Sequence, residues 1–188
     1  MAKGKRLVYV PEEVIEEAME ISRKRGESLS KFVEETLKMA VKTGRVGYTP
    51  EKAAEVLEVM QAQRVLGGAF VPLDALNYMV ENVYKSEKEQ LQAKWYESGK
   101  LHGKYLKEKF ENPIQALKSF LESTRWDLNE VDVRQDGDLV RLRCISTALT
   151  WEATEVLAKF IEGVINGLGC PTQKTDYLRG MIVVEFKP

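Results

Sequence analysis

The chain has 188 residues, of which 44% are hydrophobic and 30% charged, and its 28 Lys+Arg against 29 Asp+Glu leave a formal net charge of −1. That is enough apolar material for one or two small cores, too little chain for a large multidomain enzyme, and no polybasic arm or acidic tail. No run reaches the roughly 18 apolar residues of a membrane helix, and the short apolar stretch after Lys5 is too brief for a secretory leader, so a cytoplasmic protein is expected.

The charge is not evenly spread: residues 1–48 carry 10 basic and 8 acidic side chains, net +2, and the remainder carries 18 and 21, net −3. Arg6-Leu7-Val8-Tyr9-Val10 is β-branched and aromatic and is stopped by Pro11, which predicts a short strand. Pro11-Glu12-Glu13 opens a helix with carboxylates at its positive end, Val14, Ile15, Ala18 and Ile21 follow at helical spacing, and Gly26 ends it after Arg23-Lys24-Arg25. Ser28 caps a second helix whose stripe of Leu29, Phe32, Val33, Thr36, Leu37, Ala40 and Val41 runs to Gly44. One five-residue strand leaves both edges unpaired, and the stripe exceeds what one short helix covers, so a partner chain or a docking sheet is expected, and a homodimer would supply both.

Strand, helix, glycine turn and Ser-capped helix, from Lys5 to about Lys42, resemble the ribbon-helix-helix family of DNA-binding regulators. The resemblance implies an antiparallel two-chain ribbon in the major groove, with Lys5, Leu7 and Tyr9 facing duplex DNA. It also implies phosphate contacts at Ser28, at the N-terminus of the second helix, and at Lys3 and Lys31. Leu7 offers a base only an apolar contact, and Arg6 falls on the helix-facing side of the ribbon. The competing reading is a unit that only dimerises.

Residues 49–86 are read as a helical connector. Thr49-Pro50-Glu51 opens a helix ended by Gly67-Gly68, and Pro72-Leu73-Asp74 opens another to about Lys85. From Ser86 to about Phe110 a charged helix carries Leu91, Trp95, Gly99, His102, Tyr105 and Leu106 along one side, and Gly99 and Gly103, four apart, predict close approach of another element. A helix from Pro113 to about Ser123 follows, then a strand from Trp126 to Arg134, a turn at Asp136-Gly137 and a return strand from Leu139 to Ile145. Thr150 caps a long helix, and Met181–Phe186 closes the chain as a strand.

Three stretches of residues 87–187 carry a second resemblance: Tyr96-Glu97-Ser98-Gly99-Lys100-Leu101-His102-Gly103, Phe160-Ile161-Glu162-Gly163-Val164-Ile165-Asn166-Gly167, and Gly180-Met181-Ile182-Val183-Val184-Glu185-Phe186. They resemble the 4-vinyl reductase domain and its relatives among vesicle-tethering subunits and haem-dependent nitric-oxide sensors. The resemblance implies a binding or scaffolding module with an apolar pocket, for which Trp95, Tyr96, His102, Tyr105, Trp126 and Trp151 are the candidate lining residues. Relatives carry a cysteine two residues before the final phenylalanine, where this chain has Val184, so no metal site is expected; Cys144 and Cys170 read as reduced core residues.

No phosphate-binding glycine loop, HExxH or GxSxG motif is present, and the carboxylate pairs of the first helices lie on solvated faces, so no enzyme and no cofactor are expected. The fold class expected is α+β: a ribbon-helix-helix unit (1–48), a helical connector (49–86) and a domain with a small antiparallel sheet packed on helices (87–188). The function expected is a homodimeric DNA-binding regulator of archaeal type, whose C-terminal domain dimerises further, senses a small hydrophobic ligand, or both. The alternative is an assembly, tethering or ligand-binding protein.

Overall fold

A computed structural model describes residues 7–125 and 127–188. The chain divides between Ala54 and Glu55, within a helix, into two compact units.

The first unit holds α1 (Glu12–Lys24), α2 (Leu29–Arg45) and the start of α3 (Pro50–Val65). Glu12 and Glu13 lie in the first turn of α1, and Arg23 and Lys24 in its last, so both ends of the helix dipole are complemented. Ser28 caps α2, its hydroxyl accepting from the Lys31 N–H at 3.3 Å. The helix runs one residue beyond the predicted stop at Gly44, and Gly47, at φ 82°, takes the left-handed turn after it. Leu7–Val10 form no strand, contrary to the sequence expectation, and all four are exposed. The reason is elementary: strand propensity is realised only against a partner ladder, and the single chain supplies none. Arg6 lies outside the described residues.

The second unit continues α3 and adds α4 (Leu73–Lys109), α5 (Pro113–Thr124), β1 (Glu130–Asp136), β2 (Leu139–Ile145), α6 (Trp151–Leu168), β3 (Thr172–Leu178) and β4 (Met181–Phe186). The two helices expected on either side of Ser86 are one kinked helix, α4, with Glu87 non-helical at φ −136°, ψ 40°. The strand expected from Trp126 begins at Glu130, and Thr172–Leu178, given no strand of its own in the sequence reading, pairs with β4. The sheet is antiparallel throughout, in the order β1-β2-β4-β3. Asp136 pairs with Leu139 across a two-residue turn in which Gly137 adopts φ 59°, a conformation open to glycine at no steric cost.

Alternate residues of the two central strands, Val140, Leu142 and Cys144 with Ile182, Val184 and Phe186, point into one core beneath α6. On its other side α6 meets α4 backbone to backbone. A Cβ at Gly99 would lie 2.1 Å from the Phe160 carbonyl oxygen and one at Gly103 2.1 Å from that of Val164; Gly163 and Gly167 face Tyr96 and Lys100 in the same way. The glycine spacing therefore marks a close helix crossing, as the sequence suggests, and α6 is buried nearly all round.

Candidate functional site: an apolar cavity beneath the connector helices

Trp95, Ser98 and His102 stand at i, i+3 and i+7 on α4, on one helical face. With Phe120 and Thr124 of α5, Phe160 of α6 and the turn residues Arg125, Asp127, Asn129, Thr147 and Ala148, they form one wall of an open cavity of about 920 Å³. The other wall is Gln63 and Leu66 at and just beyond the end of α3, the Gly67-Gly68-Ala69-Phe70-Val71 loop, and Pro72, Leu73 and Leu76 at the start of α4. Its size and its mainly apolar lining fit a small-molecule site.

His102 is 6% exposed and is wedged between Phe120 and Phe160, whose ring centroids lie 5.4 and 5.2 Å from its own. Its Nδ1 lies 2.8 Å from the Ser98 carbonyl oxygen, which fixes Nδ1 as the protonated nitrogen of the neutral ring and leaves Nε2 as an acceptor. Burial pushes its pKa below the ordinary 6.5, against the smaller opposing effect of the Ser98 carbonyl, so the ring is neutral at pH 7. Arg125 and Asp127 are the charged side chains on this wall. They pair through two hydrogen bonds, Nε to Oδ1 at 2.9 Å and a terminal nitrogen to Oδ2 at 2.6 Å. Burial alone raises the Asp127 pKa, but the guanidinium outweighs it and holds the carboxyl below the ordinary range. Each of the two charges is thus already answered by the other.

The structure brings together two of the six predicted pocket residues, Trp95 and His102, edge to face with Phe160. Tyr96 and Tyr105 are corrections: both are half-buried on α4 and neither lines the cavity. Trp151 is a third: it is 44% exposed at the start of α6 and packs against Tyr177, with 5.8 Å between ring centroids. Trp126 lies outside the described residues. The sequence reading misses Phe120, Phe160, Ser98 and the Arg125–Asp127 pair, because three separate elements contribute them. It also misses Glu155, whose legible trace is a carboxylate in a helix otherwise apolar enough to be buried on all sides.

Of the predicted DNA-facing residues, Lys3 and Lys5 lie outside the described residues. Leu7 and Tyr9 are 82% and 92% exposed. Ser28 is occupied by its capping bond, and Lys31 stands 3.8 Å from Glu27 and 3.9 Å from Glu35.

Both thiols are buried, and burial pushes the pKa of Cys144 up to about 12, which makes it inert as a nucleophile. Among the described residues no group of three or more His, Cys, Asp or Glu side chains is placed to hold a metal ion, and no helix is long and apolar enough to cross a membrane. No protein-family model matches the chain, and no curated protein matches it.

Proposed function

We propose that the chain is a homodimeric, cytoplasmic DNA-binding regulator of ribbon-helix-helix type whose second unit, resembling a 4-vinyl reductase domain, takes a small apolar ligand in the cavity between the connector helices and α4–α6. The observation that carries the first half is the state of Leu7–Val10: β-favouring, exposed and unpaired immediately before α1. The same segment of a second chain would pair it into a two-stranded ribbon, and the exposed Val14, Ile21, Leu37 and Val41 supply apolar surface for the accompanying helix contacts. The cavity supports the second half. Its charges are mutually paired, so it favours a neutral ligand, oriented by the Nε2 acceptor of His102.

The test is a salt titration of duplex DNA binding. The regulator reading expects affinity to fall steeply with salt and to weaken in Lys5→Ala, since phosphate contacts release counterions. Affinity indifferent to both sinks it. One observation favours the second reading, a dimerising assembly protein: Lys31 is engaged by two carboxylates and the Ser28 hydroxyl is spent on its own helix, which leaves the phosphate site weaker than the family resemblance implies. That reading expects a dimer with no duplex affinity at any salt concentration.

A further inference from the structure

The two walls of the cavity lie on opposite sides of one backbone irregularity. Every residue of the connector wall, from Gln63 to Leu76, precedes Glu87, and every residue of the opposing wall, from Trp95 onward, follows it. Rotation about Glu87 therefore moves one wall against the other. Leu73 to Ser86 forms a lever about 20 Å long, so a small angular change there becomes a large displacement at the loop that closes the cavity.

No proline or glycine lies between Leu73 and Gly99, so no local helix breaker accounts for the bend. A tertiary contact spans it instead. Tyr84, before the bend, donates its hydroxyl to Glu155 Oε2, and Lys88, after it, places Nζ 3.0 Å from Glu155 Oε1. Tyr177 of β3 donates to the same Oε1 at 2.9 Å, and Lys88 Nζ also lies 4.9 Å from the centre of the Tyr84 ring. Glu155 itself is 5% exposed on α6, anchored to the body of the unit. Its carboxylate thus clasps the lever to the body at the point where the helix departs from regular geometry.

The closed position carries an opposing cost. Asn77, on the lever, buries its side-chain carbonyl oxygen with no hydrogen-bond partner among the described residues. Its surroundings are a narrow, mainly apolar crevice lined by Leu73, Leu76, Val80, Trp95 and Val156 together with Arg125, whose guanidinium is engaged by Asp127. A buried acceptor without a donor is destabilised relative to one in water, so lifting the lever relieves what the clasp holds in place.

We infer that α3 from Glu55 and α4 to Ser86 form a hinged lid over the cavity, turning at Glu87, held shut by the Glu155 clasp and biased toward opening by Asn77. Regulation follows from the placement, and rests on the reading of the cavity as a ligand site: a ligand touching both walls favours the shut lid by its differential affinity for that arrangement.

The experiment reads the lid without any ligand. In full-length protein carrying Trp126→Phe and Trp151→Phe, acrylamide quenching reports Trp95 alone, and hydrogen exchange is followed over residues 55–86 and 140–168. Tyr84→Phe/Lys88→Met, which leaves the Tyr177–Glu155 bond in place, is expected to raise Trp95 quenching at least threefold and to speed exchange over 55–86 with 140–168 unchanged. Asn77→Leu is expected to do the opposite at both readouts. Unchanged quenching in the clasp variant, exchange rising equally in both segments, or both variants moving in the same direction overturns the lid. Adding pyrene as a neutral apolar probe separates the two ideas: failure of pyrene to protect Trp95 in the parent protein counts against the ligand reading, while opposite shifts in the two variants sustain the lid.

Discussion

The two units give similar shares of their length to helix and use it in opposite ways. Among the described residues of the first, Ser22 alone is buried, and Leu37, Met39 and Val41 of a strongly amphipathic α2 remain more than half exposed. In the second, Ile161, Val164, Ile165, Val184 and Phe186 are fully buried in one continuous core. Periodicity alone does not stabilise a helix; the apolar stripe must meet another surface, and among the described elements α1 and α2 pack chiefly on each other. The first unit thus leaves much of its apolar surface uncovered among the described residues, whereas the second unit buries its own.

The sharpest way to break this contrast is through glycine. Gly103→Ala pushes a methyl group into the Val164 carbonyl and is expected to destabilise the second unit by about 3 kcal/mol or more in urea unfolding. Gly44→Ala, where a Cβ meets nothing within 4 Å, is expected to stabilise α2 by up to about 1 kcal/mol. Equal effects would mean that the first unit is packed as tightly as the second. Next in size, under the proposed homodimer Val8→Ser is expected to weaken dimerisation by about 2 kcal/mol in sedimentation, the worth of burying one valine, and to leave the second unit's unfolding transition in place.

Helix caps give a smaller and symmetrical test. Thr150, whose hydroxyl accepts from the Ala153 N–H at 3.2 Å, holds the start of the buried α6, and Thr150→Ala is expected to cost about 1 kcal/mol. Ser28→Ala removes the equivalent bond from α2; under the regulator reading it also lowers duplex affinity, a loss that thermal unfolding does not register.

The smallest effect is on pH dependence. The pKa of His102 is lower folded than unfolded, so the unfolded chain binds the extra proton first. Stability from the neutral ring is complete above about 6.5 and declines as the pH falls below it. His102→Phe is expected to flatten urea midpoints in that window, and a persistent slope would assign it to another group. At lower pH the carboxyls of Asp127 and Glu155 contribute in the same direction. Burial raises both, but Arg125 in one case and Tyr84, Lys88 and Tyr177 in the other hold them below their ordinary range, so their stabilisation is lost as acid titrates the folded protein.

Most helices were legible because their ends are written in local chemistry: Pro11-Glu12-Glu13, Ser28, Pro113 and Thr150 act within one turn of themselves. The Gly99/Gly103 pair likewise announced a close crossing before its partner was known. Less legible was β3, whose Thr172-Gln173-Lys174-Thr175-Asp176 is polar because it occupies a sheet edge, and whose strand state depends on β4. Of the pocket residues, Trp95 and His102 share a helix face and could be grouped by spacing. Phe120 and Phe160 come from other helices, and no spacing rule relates them.

By itself the sequence determined the helix starts, the glycine crossing, the hairpin turn and the mildly basic first unit, each of which depends on residues within a few positions of one another. Tertiary structure alone decided that Leu7–Val10 form no strand within the chain, that Tyr96, Tyr105 and Trp151 do not line the cavity, and that one carboxylate on α6 gathers Tyr84, Lys88 and Tyr177. The physical reason is range. Capping, turn geometry and amphipathic period are local, whereas strand pairing, a cavity with two walls and a buried charge's donors are assembled from elements that the chain separates by tens of residues.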